Sequence, residues 1–144
     1  MAIGKKRKKF FDAEIPLLEK TASLQAYEIE ELNGKTIKYD LTRILRGKSA
    51  ILTLKVNVEG KEAYASPKEM HLLPYYLKRM IRKGTNYVED SFTANTAENK
   101  IRIKPFLITR RKVSRAVRKA LRKKAKEELL KYSEKEATEQ IFQD

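Results

Sequence analysis

Residues 47–66 read GKSAILTLKVNVEGKEAYAS, and this stretch decides how the middle of the chain folds. Over 52–58, apolar residues alternate with polar ones, which is the period-two pattern of a strand that buries one face. Glu59-Gly60 supplies a tight turn, and residues 63–65 return as the second strand of a hairpin. A shorter alternation at 37–41 predicts a further strand before the hairpin.

A basic helix is predicted after the hairpin. Pro74 fits the first helical position, where its missing N–H costs nothing, and Gly84 is a natural C-terminal stop. Residues 66–69 read SPKE and match a capping box, which would start the helix earlier and make Pro74 a kink. The later start is preferred, so we expect a helix over 74–83.

A second pair of strands is predicted at 87–96 and 100–109, around the polar turn at 97–99. Pro105 lies inside the return strand. Because proline has no N–H to give to a sheet, it indicates an edge position or a bulge there.

A long helix is predicted over about 112–132, because apolar residues recur there every four positions and form a narrow stripe. The stripe consists of Val113, Val117, Leu121, Ala125 and Leu129. Ser133, with Glu136 three residues later, matches another capping box and predicts a short terminal helix to Phe142.

These elements predict an α+β protein. We expect a β-rich core, barrel- or sandwich-like, with flanking helices, a long basic C-terminal helix and an extended basic N-terminal arm. The chain has 144 residues, no internal repeat and no linker rich in Pro, Gly or Ser, so one domain is the simplest organisation. The expected arrangement is an arm over 1–12 and a single domain over 13–144.

Composition excludes several classes of protein. There is no Cys, which rules out disulfide scaffolds, thiolate zinc sites and cysteine nucleophiles, and the single His71 rules out a His-rich metal site. The longest nearly apolar stretch, 72–77, is far too short to span a membrane, and the basic N-terminus has no apolar core behind it, unlike a secretory signal. We therefore expect a soluble, intracellular protein.

Catalytic signatures are also absent. Gly47-Lys48-Ser49 resembles the tail of a phosphate-binding loop, but Thr42 stands where that loop needs Gly, and a strand follows instead of a helix. The adjacent acids Glu30-Glu31 and Glu127-Glu128 point in different directions on any regular element. The sequence predicts a non-enzyme with no catalytic residue, no metal site and no cofactor.

The positive charge is concentrated in blocks. The chain has 33 Lys+Arg against 19 Asp+Glu, a formal net charge of +14, and thirteen of the bases lie between Lys100 and Lys126 with no acid among them. So many like charges on one helix would destabilise it, and phosphates would remove that penalty. We therefore predict that this basic block forms an RNA-binding surface. The shorter basic run at 5–9 and the bases near 79–83 are expected to contribute further RNA contacts. The candidate residues are Lys5, Lys6, Arg7, Lys8, Lys9, Arg79, Arg82, Lys83, Arg110, Arg111, Lys112, Arg115, Arg118, Lys119, Arg122 and Lys123.

The run at 5–9 has three interpretations: a nuclear targeting signal, a solvated tail, or an arm that becomes ordered in an RNA groove. The arm is preferred. The adjacent Phe10 and Phe11 would either stack on bases or, as we expect, anchor the arm to the domain.

RNA is a better partner than DNA, because no helix-turn-helix, zinc or zipper pattern is visible. A small mixed domain with basic extensions suits a structured RNA read by shape and phosphates, as in a ribosomal protein. One alternative is a free RNA-binding or RNA-chaperone module outside the ribosome. Another is a membrane-surface helix at 112–132, although its apolar stripe lacks the Trp or Phe anchors typical of such helices.

The order of several segments resembles the S-three-a-e family of small-subunit ribosomal proteins of archaea and eukaryotes, also called e-type small-subunit protein one. The segments that carry the resemblance are 8–16 (KKFFDAEIP), 33–42 (NGKTIKYDLT), 72–85 (LLPYYLKRMIRKGT) and 101–112 (IRIKPFLITRRK). Members usually show Trp-Tyr where this chain has Phe10-Phe11. They also continue beyond the equivalent of Asp144, so the resemblance implies a member that is short at its C-terminus, either a naturally short or divergent one or an incomplete chain.

The resemblance implies a β-rich α+β domain on the platform of the small subunit, near the messenger exit and the 3′ end of the small rRNA. The implied partners are that rRNA and neighbouring small-subunit proteins, with messenger RNA as a further candidate. It also implies that 5–9 and 110–126 make the main rRNA contacts. We expect a cytoplasmic, ribosome-bound protein with no membrane partner and no homo-oligomer.

Overall fold

The computed structural model describes residue 4 and residues 6–136. The chain forms two compact units, one up to Leu73 and one from Pro74 onward. The fold is α+β, as predicted, with the β-rich part concentrated in the first unit. The single domain predicted over 13–144 stays a prediction.

The first unit is a curled, five-stranded half-barrel sheet in the order β2-β1-β5-β4-β3. All neighbours are antiparallel except β1 and β5, which are parallel. A 3-10 helix, Ile29–Leu32, follows β2. The strands are β1 Lys9–Ile15, β2 Lys20–Ala26, β3 Thr36–Asp40, β4 Ala50–Glu59 and β5 Glu62–Leu72.

The predicted hairpin is confirmed as β4 and β5. Leu52, Leu54 and Val56 are buried on one face of β4, as the alternation of the sequence requires. Gly60 adopts a φ of +62° in the turn, a conformation that favours glycine. The capping box considered at 66–69 lies within β5, and the helix begins at Pro74, so the later start was right.

The first unit contains two strands that the prediction missed. Phe11, Ala13 and Ile15 alternate inward on β1, and Ala13 joins a buried cluster with Ala26 of β2 and Val56 of β4. The arm predicted over 1–12 therefore includes the start of a paired strand at Lys9.

The second unit begins with helix α1, Pro74–Met80, which ends three residues earlier than predicted. A separate turn follows it, in which Thr85 N donates to the carbonyl of Arg82 (3.3 Å) and Gly84 has a φ of +85°. The chain then forms the strands β6 Tyr87–Glu89, β7 Phe92–Asn95, β8 Lys100–Ile103 and β9 Phe106–Ile108.

These four short strands form the second β pair that the sequence predicted, and the hydrogen-bond ladder of this pair is interrupted once. β6 pairs with β9 and β7 pairs with β8, in one continuous register around the turn at 96–99. At the interruption, Asp90 N donates to the carbonyl of Pro105 (3.4 Å). Pro105 has no N–H with which to return the bond, so the ladder breaks without changing register.

Helix α2, Arg115–Lys135, lies three residues later than the predicted 112–132. Ser114 caps it, accepting a hydrogen bond from Val117 N (3.3 Å), so Lys112 and Val113 belong to the preceding loop. The capping box predicted at Ser133 is wrong, because that buried hydroxyl lies inside α2 and donates to the carbonyl of Leu130 (2.9 Å). The rest of the terminal helix predicted to Phe142 lies outside the described residues.

Candidate nucleic-acid interface

The inward face of α2 differs from the predicted stripe by one position. Leu121, Ala125 and Leu129 are half-buried, as expected, but Val117 is 44% exposed and Arg118 is half-buried in its place. The helix packs against β7 and β6 of the second unit. An arginine therefore lies where the stripe predicted a valine.

Two contacts hold the basic side of α2 to the strands. Arg122 Nε donates to the carbonyl of Glu89 on β6 (3.1 Å). Further along the helix, Lys126 Nζ lies 5.7 Å from the centroid of the Phe92 ring, a cation–π contact with β7. These contacts fix the helix in rotation and so determine which cations face outward.

An open depression of about 460 Å³ lies between the first half of α2 and β6. Four cations at helical spacings of three and four share one side of α2 and line it with Tyr87. These cations are Arg115, Arg118, Lys119 and Arg122. Within the described part of the chain the structure contains one ion pair, Lys6–Glu28, so none of the four has a carboxylate partner there.

Arg118 is the most constrained member of the group. Its Nε is buried and has no hydrogen-bond partner among the described residues. A buried donor left unpaired typically costs about 1–3 kcal/mol. Because that buried atom is closed to solvent, an anion in the depression would meet the rest of the guanidinium, which can grip a phosphate through two parallel bonds.

The loop that leads into α2 is tied to the strand before it. Asn86 Oδ1 accepts a hydrogen bond from Val113 N (2.9 Å), and Thr109 N donates to the carbonyl of Asn86 (2.8 Å). The exposed bases Arg110, Arg111 and Lys112 lie on this loop. They precede the depression and do not line it.

The predicted basic arm is docked on its own unit. Lys6 Nζ forms an exposed ion pair with Glu28 (2.9 Å), and this hydrogen-bonded contact raises the pKa of Lys6 and lowers the pKa of Glu28. Lys8 Nζ lies 5.6 Å from the centroid of the Tyr27 ring. Arg7 is exposed, Lys9 begins β1, and Lys5 lies outside the described residues.

The two aromatic residues after the arm have different environments. Phe11 packs against the buried cluster of the first unit, which confirms the predicted anchoring role for one of the pair. Phe10, in contrast, is 69% exposed on the opposite face of β1.

The remaining predicted bases lie on separate parts of the second unit. Arg79 lies over the Tyr75 ring, 5.9 Å from its centroid, and Arg82 and Lys83 are exposed in the turn after α1. Lys123 is exposed on α2 but does not line the depression. Thus four of the sixteen predicted residues are brought together, and sequence reasoning missed Tyr87, Phe106 and Asn86.

The described residues offer neither a cluster of metal-ligating side chains nor a helix that could span a membrane. They contain no group of three His, Cys, Asp or Glu side chains that could hold a metal ion. No helix within residues 6–136 has the length and apolar character needed to cross a membrane.

The sequence matches the Ribosomal S3Ae family over residues 5–144. It is 30% identical over 128 residues to small ribosomal subunit protein eS1 of Pyrobaculum arsenaticum. The aligned region covers 85% of this chain and 58% of that relative. A second protein of that name, from Halorubrum lacusprofundi, is 31% identical over 103 residues, 68% of this chain and 48% of the relative. The chain thus spans about half the length of the curated relatives it matches. The match over almost the whole sequence establishes that this chain belongs to the Ribosomal S3Ae family.

Proposed function

We propose that this chain is a structural constituent of the small ribosomal subunit that binds rRNA and catalyses no reaction. The observation that carries the proposal is the depression on α2, where four cations with no carboxylate partner among the described residues face one open volume. The relatives that the chain matches are named as small ribosomal subunit proteins, which supports the choice of rRNA among polyanions.

The mechanism is electrostatic. Each Lys or Arg that contacts a phosphate releases a condensed counterion, which makes binding favourable and dependent on salt. Because α2 is held to β6 and β7, the backbone positions that carry its cations are fixed before RNA arrives. The arm at 5–9 and the bases near 79–83 and 110–112 would add further phosphate contacts.

The family resemblance extends the proposal to location and partners. We infer a place on the platform, near the 3′ region of the small rRNA and the messenger exit. Neighbouring small-subunit proteins would adjoin it there, and messenger RNA is a further candidate contact. No cofactor, membrane or second copy of the chain is required, and the expected location is the cytoplasmic ribosome.

The direct test is sucrose-gradient fractionation of native cell extract at moderate and high salt, with the chain quantified by mass spectrometry. We expect stoichiometric co-migration with the small subunit that persists at high salt. Recovery mainly at the top of the gradient would contradict the proposal and favour a free RNA-binding or RNA-chaperone module.

A second prediction concerns the docked arm. Glu28→Gln should raise the affinity for small-subunit rRNA about twofold, because Lys6 no longer has to leave a carboxylate to contact a phosphate. The effect is small since the ion pair is exposed. It should be measured by filter binding over a range of salt concentrations.

The matched control is Glu30→Gln. It makes the same change in net charge on an exposed side chain of the adjacent 3-10 helix, which forms no ion pair in the described residues. Equal gains for the two variants would mean that net charge alone acts and that releasing Lys6 contributes nothing.

A further inference from the structure

Tyr87 gives the depression a feature that phosphate binding alone does not use. It is the aromatic residue among four cations, and it is 51% exposed. An exposed aromatic ring beside a cationic groove offers a surface on which a base can stack.

The Tyr87 ring is held in a fixed orientation. It stacks on Phe106, with ring centroids 5.5 Å apart and an interplanar angle of 12°. The register explains the contact: Tyr87 pairs with Ile108 and Phe106 pairs with Glu89, so the two rings are diagonal neighbours across β6 and β9. One face of the tyrosine is therefore supported by protein before any ligand binds.

The cations are placed to hold the charged part of the same ligand. Arg118 lines the depression together with Tyr87, and Arg115 and Lys119 lie within one turn of it on α2. An aromatic platform beside convergent guanidinium groups matches the two halves of a nucleotide, which are a flat base and an anionic phosphate.

Continuous duplex RNA cannot contact both the aromatic platform and the cations of this site. Its bases are stacked on one another, so a protein reaches their edges, the sugars and the phosphates but not the flat faces of the bases, whereas an unpaired base can leave the stack. The volume of about 460 Å³ lies within the range of about 300–1,000 Å³ that is typical of small-ligand sites. The size therefore suits one extruded nucleotide.

We propose that this depression binds a single unpaired nucleotide of RNA, with its base on Tyr87 and its phosphate on Arg118, Arg115 and Lys119. The inference rests on the proposed RNA-binding function and adds a recognition element to it. The protein then reads a local interruption of a helix, in addition to the overall charge of the backbone.

The test compares two RNA duplexes that differ only in one central unpaired 2-aminopurine, whose fluorescence falls when the base stacks. We expect the parent protein to bind the interrupted duplex about tenfold more tightly than the continuous one and to quench the probe. Tyr87→Phe should keep both properties, since it keeps the ring. Tyr87→Leu should bring the affinity ratio close to one and abolish the quenching, while its apolar side chain still packs on Phe106.

Controls separate the possible failures. Tyr75→Ala removes an equally exposed tyrosine (51%) from α1 and should leave the ratio unchanged. A parent ratio of one, or an unchanged ratio in Tyr87→Leu, would overturn the nucleotide site while leaving RNA binding intact. Failure to bind either duplex would instead contradict the proposed function. Adenosine monophosphate binding as tightly as the interrupted duplex would assign the depression to a free nucleotide and overturn the RNA site.

Discussion

Replacing Arg115, Arg118 and Arg122 together by alanine is expected to weaken binding to small-subunit rRNA by about a hundredfold near 0.15 M salt. All three side chains line the depression on α2. Each phosphate contact contributes about 0.9 to the slope of log affinity against log salt, so three lost contacts should reduce the slope by about 2.7. Dissociation constants measured from about 0.05 to 0.3 M salt would give both quantities.

The fold should survive this triple substitution. Alanine has the highest helix propensity, and the change removes the unpaired Nε of Arg118. Among the described residues, the hydrogen bond lost is the exposed contact of Arg122 with Glu89, typically worth about 0.5–1.5 kcal/mol. Circular dichroism and thermal unfolding should therefore resemble those of the parent.

The matched control is the triple variant Lys38→Ala, Lys48→Ala and Lys61→Ala. It removes the same charge from exposed positions of the first unit, outside the depression. We expect at most a few-fold loss of affinity, because long-range attraction is screened beyond about 8 Å at physiological salt. Equal losses for the two triple variants would show that binding depends on net charge and not on the surface of α2.

The sequence predicted those parts of the fold whose patterns are local. The alternation over 52–58 led to the buried face of β4, and Pro105 correctly marked the interruption between β8 and β9. β1 was missed even though Phe11, Ala13 and Ile15 alternate inward, because the preceding basic run favoured an extended arm. A strand at the edge of a basic tail depends on its partners, and Ala13 is buried only once β2 and β5 lie beside it.

The candidate interface was predicted in its chemistry but not in its geometry. Composition identified the bases of α2, whereas the rotation of the helix decides which of them converge. Packing on β6 and β7 turned Arg118 inward and left Val117 exposed, which a period of four alone could not predict. Tyr87 was overlooked because its role depends on the register with Phe106. That register was available in principle from the turn at 96–99.

The second large expected effect is a loss of stability when the hydrogen bond between Asn86 and the loop before α2 is removed. Asn86→Ala should lower the free energy of unfolding by about 2 kcal/mol, because it leaves the half-buried N–H of Val113 without its acceptor. The backbone bond from Thr109 N to the carbonyl of Asn86, and the bonds of the Thr109 hydroxyl to the Asn86 backbone, do not need the Asn86 side chain and should persist. We also expect weaker RNA binding, since this loop determines where the cap at Ser114 and the first cations of α2 lie. Urea unfolding would measure the loss of stability.

Two further variants isolate the hydrogen bond. Asn86→Asp keeps an oxygen that can accept a hydrogen bond from Val113 N, so it should retain most of the free energy of unfolding. Stability is compared for this variant, and RNA affinity is not, because the added negative charge also repels RNA. Asn95→Ala makes the same truncation at an exposed position of β7 and should cost less than about 0.5 kcal/mol. If Asn86→Ala and Asn95→Ala were equally stable, the loop would be held by its remaining hydrogen bonds, including those of the Thr109 hydroxyl. The position of the cations would then depend only on the packing of α2 against β6 and β7.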